Sequence, residues 1–233
     1  MATKQPTVKH KLASPKGIFH FSTIKGEGIN VEYDKTKPDN MAYQARLLFK
    51  KGSEADTTIT KTITTVWEQY KKVEQTALGS VKQAFYKPFT IACPDGTIDE
   101  ETGYIKRLPT DFMVLIASTS TTFKDGKPKV VGFHAKAGGA TGVQNLTKGY
   151  NEADWAIGKD SEGYILGTIM GNTGGGNAKI SLYLTALQIT KLIKYEGDEV
   201  EVIEDDEAEV IDMGMSVGSE TNTPTDDTDT VSI

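Results

Sequence analysis

Between Glu196 and Ile233 the chain carries fourteen Asp and Glu residues and no Lys or Arg. A segment so charged, with so few large apolar groups, cannot bury enough surface to offset the entropy lost on ordering it. It is expected to remain a disordered acidic tail over residues 196–233. The fold must then be built from roughly the first 195 residues, enough for one domain with a core. The tail also hides the sign of the segment before it. The whole chain has 26 bases and 32 acids, net −6, whereas residues 1–195 hold 26 bases and 18 acids, net +8. A basic body joined to a polyanionic tail points to a body that meets a polyanion and to a tail that mimics it or recruits a partner.

The start is polar and Lys-rich, with five lysines up to Lys25 and no acid before Glu27. Residues 1–15 are expected to form a flexible basic arm, and 16–195 the folded body. Gly17 to Ile24 reads as a strand with Phe19 and Phe21 on one face. Met41 to Lys50 alternates Tyr43, Ala45, Leu47 and Phe49 with Gln44, Arg46, Leu48 and Lys50 at a period of two. Ser53 to Thr76 changes period. Ile59, Ile63, Val66, Trp67, Tyr70 and Val73 recur at steps of three and four, which predicts an amphipathic helix capped by Ser53. Trp67 is then a core anchor. Gln83 to Thr110, broken by Pro88, Pro94 and Pro109, reads as a long, partly ordered connection. Asp111 to Ser120 is a strand, Lys124-Asp-Gly-Lys127 a hairpin turn, and Lys127 to Lys136 its return strand. Residues 137–162 read as a Gly-rich loop. Gly163 to Met170 and Ala178 to Thr190 are the last strands. Five or six strands with one inserted helix and long loops predict a mainly β body, a small barrel or sandwich.

The sequence argues against most catalytic chemistries. Gly171 to Lys179 looks superficially like a phosphate loop, but Asn177 and Ala178 separate the glycines from Lys179, and Ile180 stands where Ser or Thr is required. Asp95, Thr97 and Asp99 start like a calcium loop, yet Lys106 occupies the position of the bidentate Glu. His10, His20 and His134 have no metal-ligand spacing with one another or with the single cysteine, Cys93. No nucleophile–base pattern stands out, so neither enzyme activity, cofactor nor metal is expected. The lysines of the start precede no apolar run, and no stretch approaches the length of a membrane span. A lone cysteine fits a reducing compartment.

What the body does show is repeated interleaving of cations and aromatics. Single-stranded nucleic acid is gripped this way, because phosphates need cations and unpaired bases offer π-faces. Arg46, Lys87, Arg107 and Lys129 are the candidate phosphate contacts. Tyr86, Phe89, Phe112 and Tyr183 are the candidate stacking residues. With only two arginines in the chain, the mix suits sequence-independent binding more than base readout.

The order of a Lys-rich start, an early strand, the strand "YQARLLF", an inserted helix, a Gly-rich late region, the strand "ISLYLTALQI" and an acidic tail resembles the single-stranded DNA-binding proteins of tailed bacteriophages. That resemblance implies an OB-fold-like five-stranded barrel that coats unwound DNA during replication and recombination in the cytoplasm of an infected bacterial host. It also implies a tail that competes with DNA for the basic groove and contacts replication proteins such as a polymerase or helicase. Tails of that family often end in dense acids and an aromatic residue. This one ends Thr-Asp-Thr-Val-Ser-Ile, and its densest acids, Glu204 to Glu207, lie nearer the body. The competing reading is a protein–protein or virion assembly component whose acidic tail keeps it soluble.

Overall fold

The computed structural model describes residues 8–30, 41–74, 83–136, 141–172, 179–196 and 199–204. Among these the chain is mainly β, with two helices. The elements are β1 (Lys9–Ala13), β2 (Gly17–Thr23), β3 (Ile29–Asn30), β4 (Met41–Lys50), α1 (Glu54–Glu74), β5 (Tyr86–Ala92), β6 (Arg107–Ser120), β7 (Gly132–Lys136), β8 (Val143–Asn145), α2 (Thr147–Glu152), β9 (Ala156–Ile157), β10 (Glu162–Asn172), β11 (Lys179–Glu196) and β12 (Glu199–Glu204).

Five strands close a ring. β2 pairs antiparallel with β4, and β4 with β6. β6 meets β11 in parallel at Tyr183↔Ser118. β11 pairs antiparallel with β10, which returns to β2. The return is made by Gly163 opposite Gly17 and Glu162 opposite Ile18. Neither glycine has room for a side chain. A Cβ on Gly163 would lie 2.0 Å from the Gln188 carbonyl oxygen, and one on Gly17 would strike Leu47, Leu48 and Phe49 at 2.8 Å.

The inside of the ring holds Phe19, Ala45, Leu47, Leu115, Ala117, Ile165 and Leu187, all fully buried. α1 adds Ile59, Ile63, Val66, Trp67 and Tyr70 to the same core, the residues whose spacing marked its apolar face. Ser53 caps it, accepting the Asp56 N–H at 3.2 Å. Its threonines are accommodated by back-bonding: the Thr62, Thr64 and Thr65 hydroxyls each donate to the carbonyl four residues earlier at 2.9 Å.

Several boundaries differ from the sequence reading. Residues 9–13 are not a flexible arm. They form β1, paired with β10 from Lys9↔Met170 to Ala13↔Leu166, with Leu12 and Ser14 buried. The acidic segment does not leave the fold at 196, because β12 folds back on β11 and sets Glu204 opposite Lys191 and Glu201 opposite Lys194 in register. The rest of the tail, residues 205–233, lies outside the described residues, as do residues 1–7. The expected connection 83–110 is an ordered hairpin of β5 with the first half of β6. The Asp-Gly turn forms, with Gly126 at φ 80° and the Phe123 N–H donating to Lys127 O at 2.8 Å. Its return strand pairs back at its start, where Thr122 bridges Pro128 and the Lys129 N–H donates to Thr121 O at 2.7 Å, and from Gly132 onward β7 joins β11 in parallel instead. The expected loop 137–162 contains β8, α2 and β9.

Candidate nucleic-acid interface

The alternation of β4 puts Tyr43, Ala45, Leu47 and Phe49 inward, so Gln44, Arg46, Leu48 and Lys50 face out. β6 buries Leu115 and Ala117, so Ile116, Ser118 and Ser120 share that outer face. The register joins them, with Arg46 opposite Ile116, Gln44 opposite Ser118 and Lys50 opposite Phe112.

A bulge in β2 separates two residues, Phe19 and Phe21, that period-two reading had set on one face. The register with β4 shifts between Phe19 and Phe21. A bulge inserts one residue and re-aims the side chains after it. Phe19 is therefore fully buried, while Phe21 is 37% exposed and lies beneath Arg46, whose guanidinium carbon is 5.5 Å from the ring centroid. Arg46 Nε also donates to Gln44 Oε1 at 2.8 Å, which holds the guanidinium over the sheet.

One cross-strand row runs around the ring through this face. Thr23 pairs with Gln44, Gln44 with Ser118, Ser118 with Tyr183, Tyr183 with Thr168 and Thr168 with Lys11. Directly opposed residues lie on one face. Tyr183 and Lys11 are both exposed, and exposed Lys9 stands two residues along β1 on the same side. Beyond Ser118 the row is continued by Lys129, whose Nζ donates to Ser120 Oγ at 2.8 Å and lies 5.3 Å from the centroid of exposed Phe123.

Arg46 and Tyr183 thus lie on the outer side of β4 and β11, which flank β6, with Phe21 beneath Arg46 and Lys129 and Phe123 beside Ser120, while Lys9 and Lys11 lie two strands beyond Tyr183. Lys87, Phe89, Arg107 and Phe112 belong to a second stretch on the β5–β6 hairpin. Lys87 and Arg107 are exposed, and Phe89 and Phe112 half-buried. Arg107 is held by Thr90, its Nε donating to Thr90 Oγ1 at 3.1 Å. The stretches meet at one contact. The His20 ring of β2 stands edge-on to Phe89 of β5, centroids 4.7 Å apart, although β4 and β6 separate those strands in the sheet.

The layout is similar to that of a solved structure. This is the crystal structure of gp2.5, a single-stranded DNA binding protein encoded by bacteriophage T7, with 12% identity, a TM-score of 0.48, and 82% of this chain and 92% of that chain covered. No family model matches the chain, and no curated protein does.

Tyr86 is not available for stacking. It is 6% exposed, tilted against Phe49 inside the core, and its hydroxyl donates to Asp56 Oδ1 at 2.6 Å. Burial, reinforced by the hydrogen bond and charge of Asp56, drives the phenol's pKa far above its usual value. A ring so placed offers no face to a base. Phe133 is also core, stacked 4.4 Å from Tyr150. Lys25 is used structurally. Its Nζ donates to the Ala153 and Trp155 carbonyls at 2.7 and 2.6 Å and lies 4.7 Å from the Tyr150 ring centroid. Burial pulls its pKa below the usual lysine value, with Asp154 acting in the opposite direction. Asp95 and Asp99 turn on their own backbones: Asp95 Oδ1 accepts the Thr97 N–H at 3.0 Å, and Asp99 Oδ1 the Thr102 N–H at 2.9 Å.

The candidate phosphate and stacking residues named from the sequence did not include Phe21, Phe123, Lys9 or Lys11. The bulge that exposes Phe21 leaves no glycine or proline to mark it. Phe123 beside the Asp-Gly turn was the one visible signal, since a turn-flanking aromatic with lysines nearby is displayed to solvent.

Proposed function

We propose that the protein is a non-enzymatic, sequence-independent single-stranded DNA-binding protein. The observation that carries this reading is the outer face of β4, β6 and β11. There Arg46 over Phe21, Lys129 over Phe123, and Tyr183 in one row with Lys11 set cations and ring faces side by side on an ordered sheet. Backbone phosphates would be held by Arg46, Lys129, Lys9 and Lys11, with Lys87 and Arg107 extending the track. Bases would stack on Tyr183 and Phe21, with Phe89 and Phe112 at the hairpin end. The five-stranded ring supports reading the body as an OB-fold-like barrel, whose second and third strands, here β4 and β6, form the oligonucleotide face. On this reading the protein coats unwound DNA during phage replication and recombination in the infected bacterial cytoplasm. The acids beyond β12 compete for the same cations and engage replication proteins.

Fluorescence titration with single-stranded and duplex oligonucleotides at two salt concentrations tests the proposal. Single strands should bind more tightly, with a log–log salt slope of about −0.7 per phosphate neutralised. Tyr183→Ala should cost about 1–3 kcal/mol of binding, the worth of one stacked base, with the melting temperature little changed. Equal affinity for duplex, or affinity indifferent to salt, overturns the reading. One observation favours the protein–protein alternative. The far end of the β5–β6 hairpin exposes Ile98 and Ile105 as a cross-strand pair beside Tyr104, itself 78% exposed. That alternative predicts weak DNA affinity in the same titration.

A further inference from the structure

We propose that His20 is a proton-linked phosphate contact, joining the Arg46 stretch of the interface to the β5–β6 hairpin and taking up a proton when a polyanion binds. The inference rests on the reading of this face as a nucleic-acid interface.

His20 occupies the bulge of β2, between buried Phe19 and outward Phe21. Its ring is half-buried, and its one aromatic contact among the described residues is the edge of Phe89. Neither ring nitrogen makes a hydrogen bond among the described residues. The imidazole is therefore held in place by packing, with its polar atoms available to a ligand. It stands where the two stretches approach each other, so a chain running from Arg46 to Lys87 and Arg107 passes it.

The charged groups around it determine its protonation. Arg46 faces it from β4, and Lys159 and Asp160 from the turn after β9, while β5 presents the uncharged Phe89. In the free protein burial, then Lys159, then Arg46 press the imidazole pKa below its ordinary 6.5, with Asp160 opposing them. Two cations and one carboxylate beside a neutral imidazole leave the site with a net positive charge. A phosphate placed there reverses the balance: it screens both cations from the ring and attracts the imidazolium, so the bound-state pKa is higher. A group whose pKa rises on binding makes affinity increase as pH falls through the interval between its free and bound values. The gain begins as pH falls through the bound value and is complete below the free value, which lies below 6.5.

The test uses the full chain and a single-stranded thymidine oligonucleotide at constant ionic strength, titrated at about pH 5.5 and 7.5, with wild type and His20→Gln. Gln keeps a polar side chain of similar reach and cannot charge. Wild type should bind about three- to tenfold more tightly at the lower pH, within the tenfold per pH unit that one linked proton permits. His20→Gln should lose most of that ratio, whatever its affinity at the higher pH. NMR titration of the His20 imidazole in wild type, with and without oligonucleotide, gives a readout independent of any variant's folding, and its midpoint should rise on binding. An unchanged midpoint, or the same pH ratio in His20→Gln as in wild type, overturns the inference and assigns the pH dependence to His10, His134 or carboxylates. Absence of single-strand binding at every pH overturns the functional reading instead.

Discussion

Replacing Tyr86 by Phe separates a core role from a stacking role. The ring stays, so the packing against Phe49 stays; what is lost is the hydroxyl that donates to Asp56 Oδ1. Asp56 sits in the first turn of α1, where its Oδ2 also accepts the Gly52 N–H at 2.8 Å. Burial acts to raise the pKa of this carboxyl. The bonds from Tyr86, Gly52 and Thr60 and the charge of Lys51 outweigh it, and the net pKa is below 3.8. A hydrogen bond to a charged group is worth about 1.5–3 kcal/mol. Asp56 keeps its other donors, so the expected loss is at the lower end, about 1.5–2 kcal/mol. For a chain of this size that is a fall of roughly 3–8 °C in melting temperature. The loss should be full above about pH 4, because a depressed carboxyl pKa stabilises the fold once the unfolded carboxyl would be ionised. It should shrink as pH falls through the folded pKa and the bond becomes one between neutral groups. Thermal melts at about pH 7 and pH 3, with oligonucleotide titration alongside, measure both quantities. Single-strand affinity should stay within about twofold, since no face of the ring is offered to a base. A several-fold loss of affinity with an unchanged melting temperature would refute the core assignment.

Trp67→Ala should destabilise by about 3–5 kcal/mol, the usual cost of emptying a buried Trp site, because Trp67 is 1% exposed; urea unfolding checks this, and DNA affinity per folded molecule should not change. Ending the chain after Glu204 removes nine of the fourteen tail acids and keeps β12. Binding to single-stranded DNA should tighten, most at low salt where charge attraction is least screened, and equal affinity of the shortened and full chains at low salt would leave the acids a solubility role.

The features legible in the sequence came from local period. The three- and four-residue spacing of Ile59 through Tyr70 specifies a buried stripe whatever the stripe packs on, and the alternation of Tyr43 to Phe49 specifies which side chains of β4 turn into the core and which turn away from it. The outward position of Arg46 came directly from that alternation. The features that could not be read depended on residues distant in the chain. β5 carries Pro88 and a register shift between Pro88 and Thr90, which erase its alternation, so Tyr86 looked like a loop aromatic; its partner Asp56 is thirty residues earlier. The inward turn of Phe19 and outward turn of Phe21 depend on a bulge set by pairing with β4. Lys9 and Lys11 looked like a polar arm because β1 is an edge strand that buries little beyond Leu12.

The ring can also be seen as two ribbons held by two clasps. Nine register pairs join β4 to β6, and eleven join β10 to β11. Between the ribbons, among the described residues, the ladder is two pairs long at Gly17 and Gly163 and one pair long at Tyr183 and Ser118. Hydrogen bonds from the Phe19 N–H to Ser161 O and the Asp160 N–H to Phe19 O extend the first clasp by a little. Short ladders of this kind are where a fold opens locally before it opens as a whole. Arg46 belongs to one ribbon and Tyr183 to the other, at the second clasp. A nucleic-acid strand lying across both would brace that joint from outside, and the molecule would be mechanically stiffer when loaded than when empty.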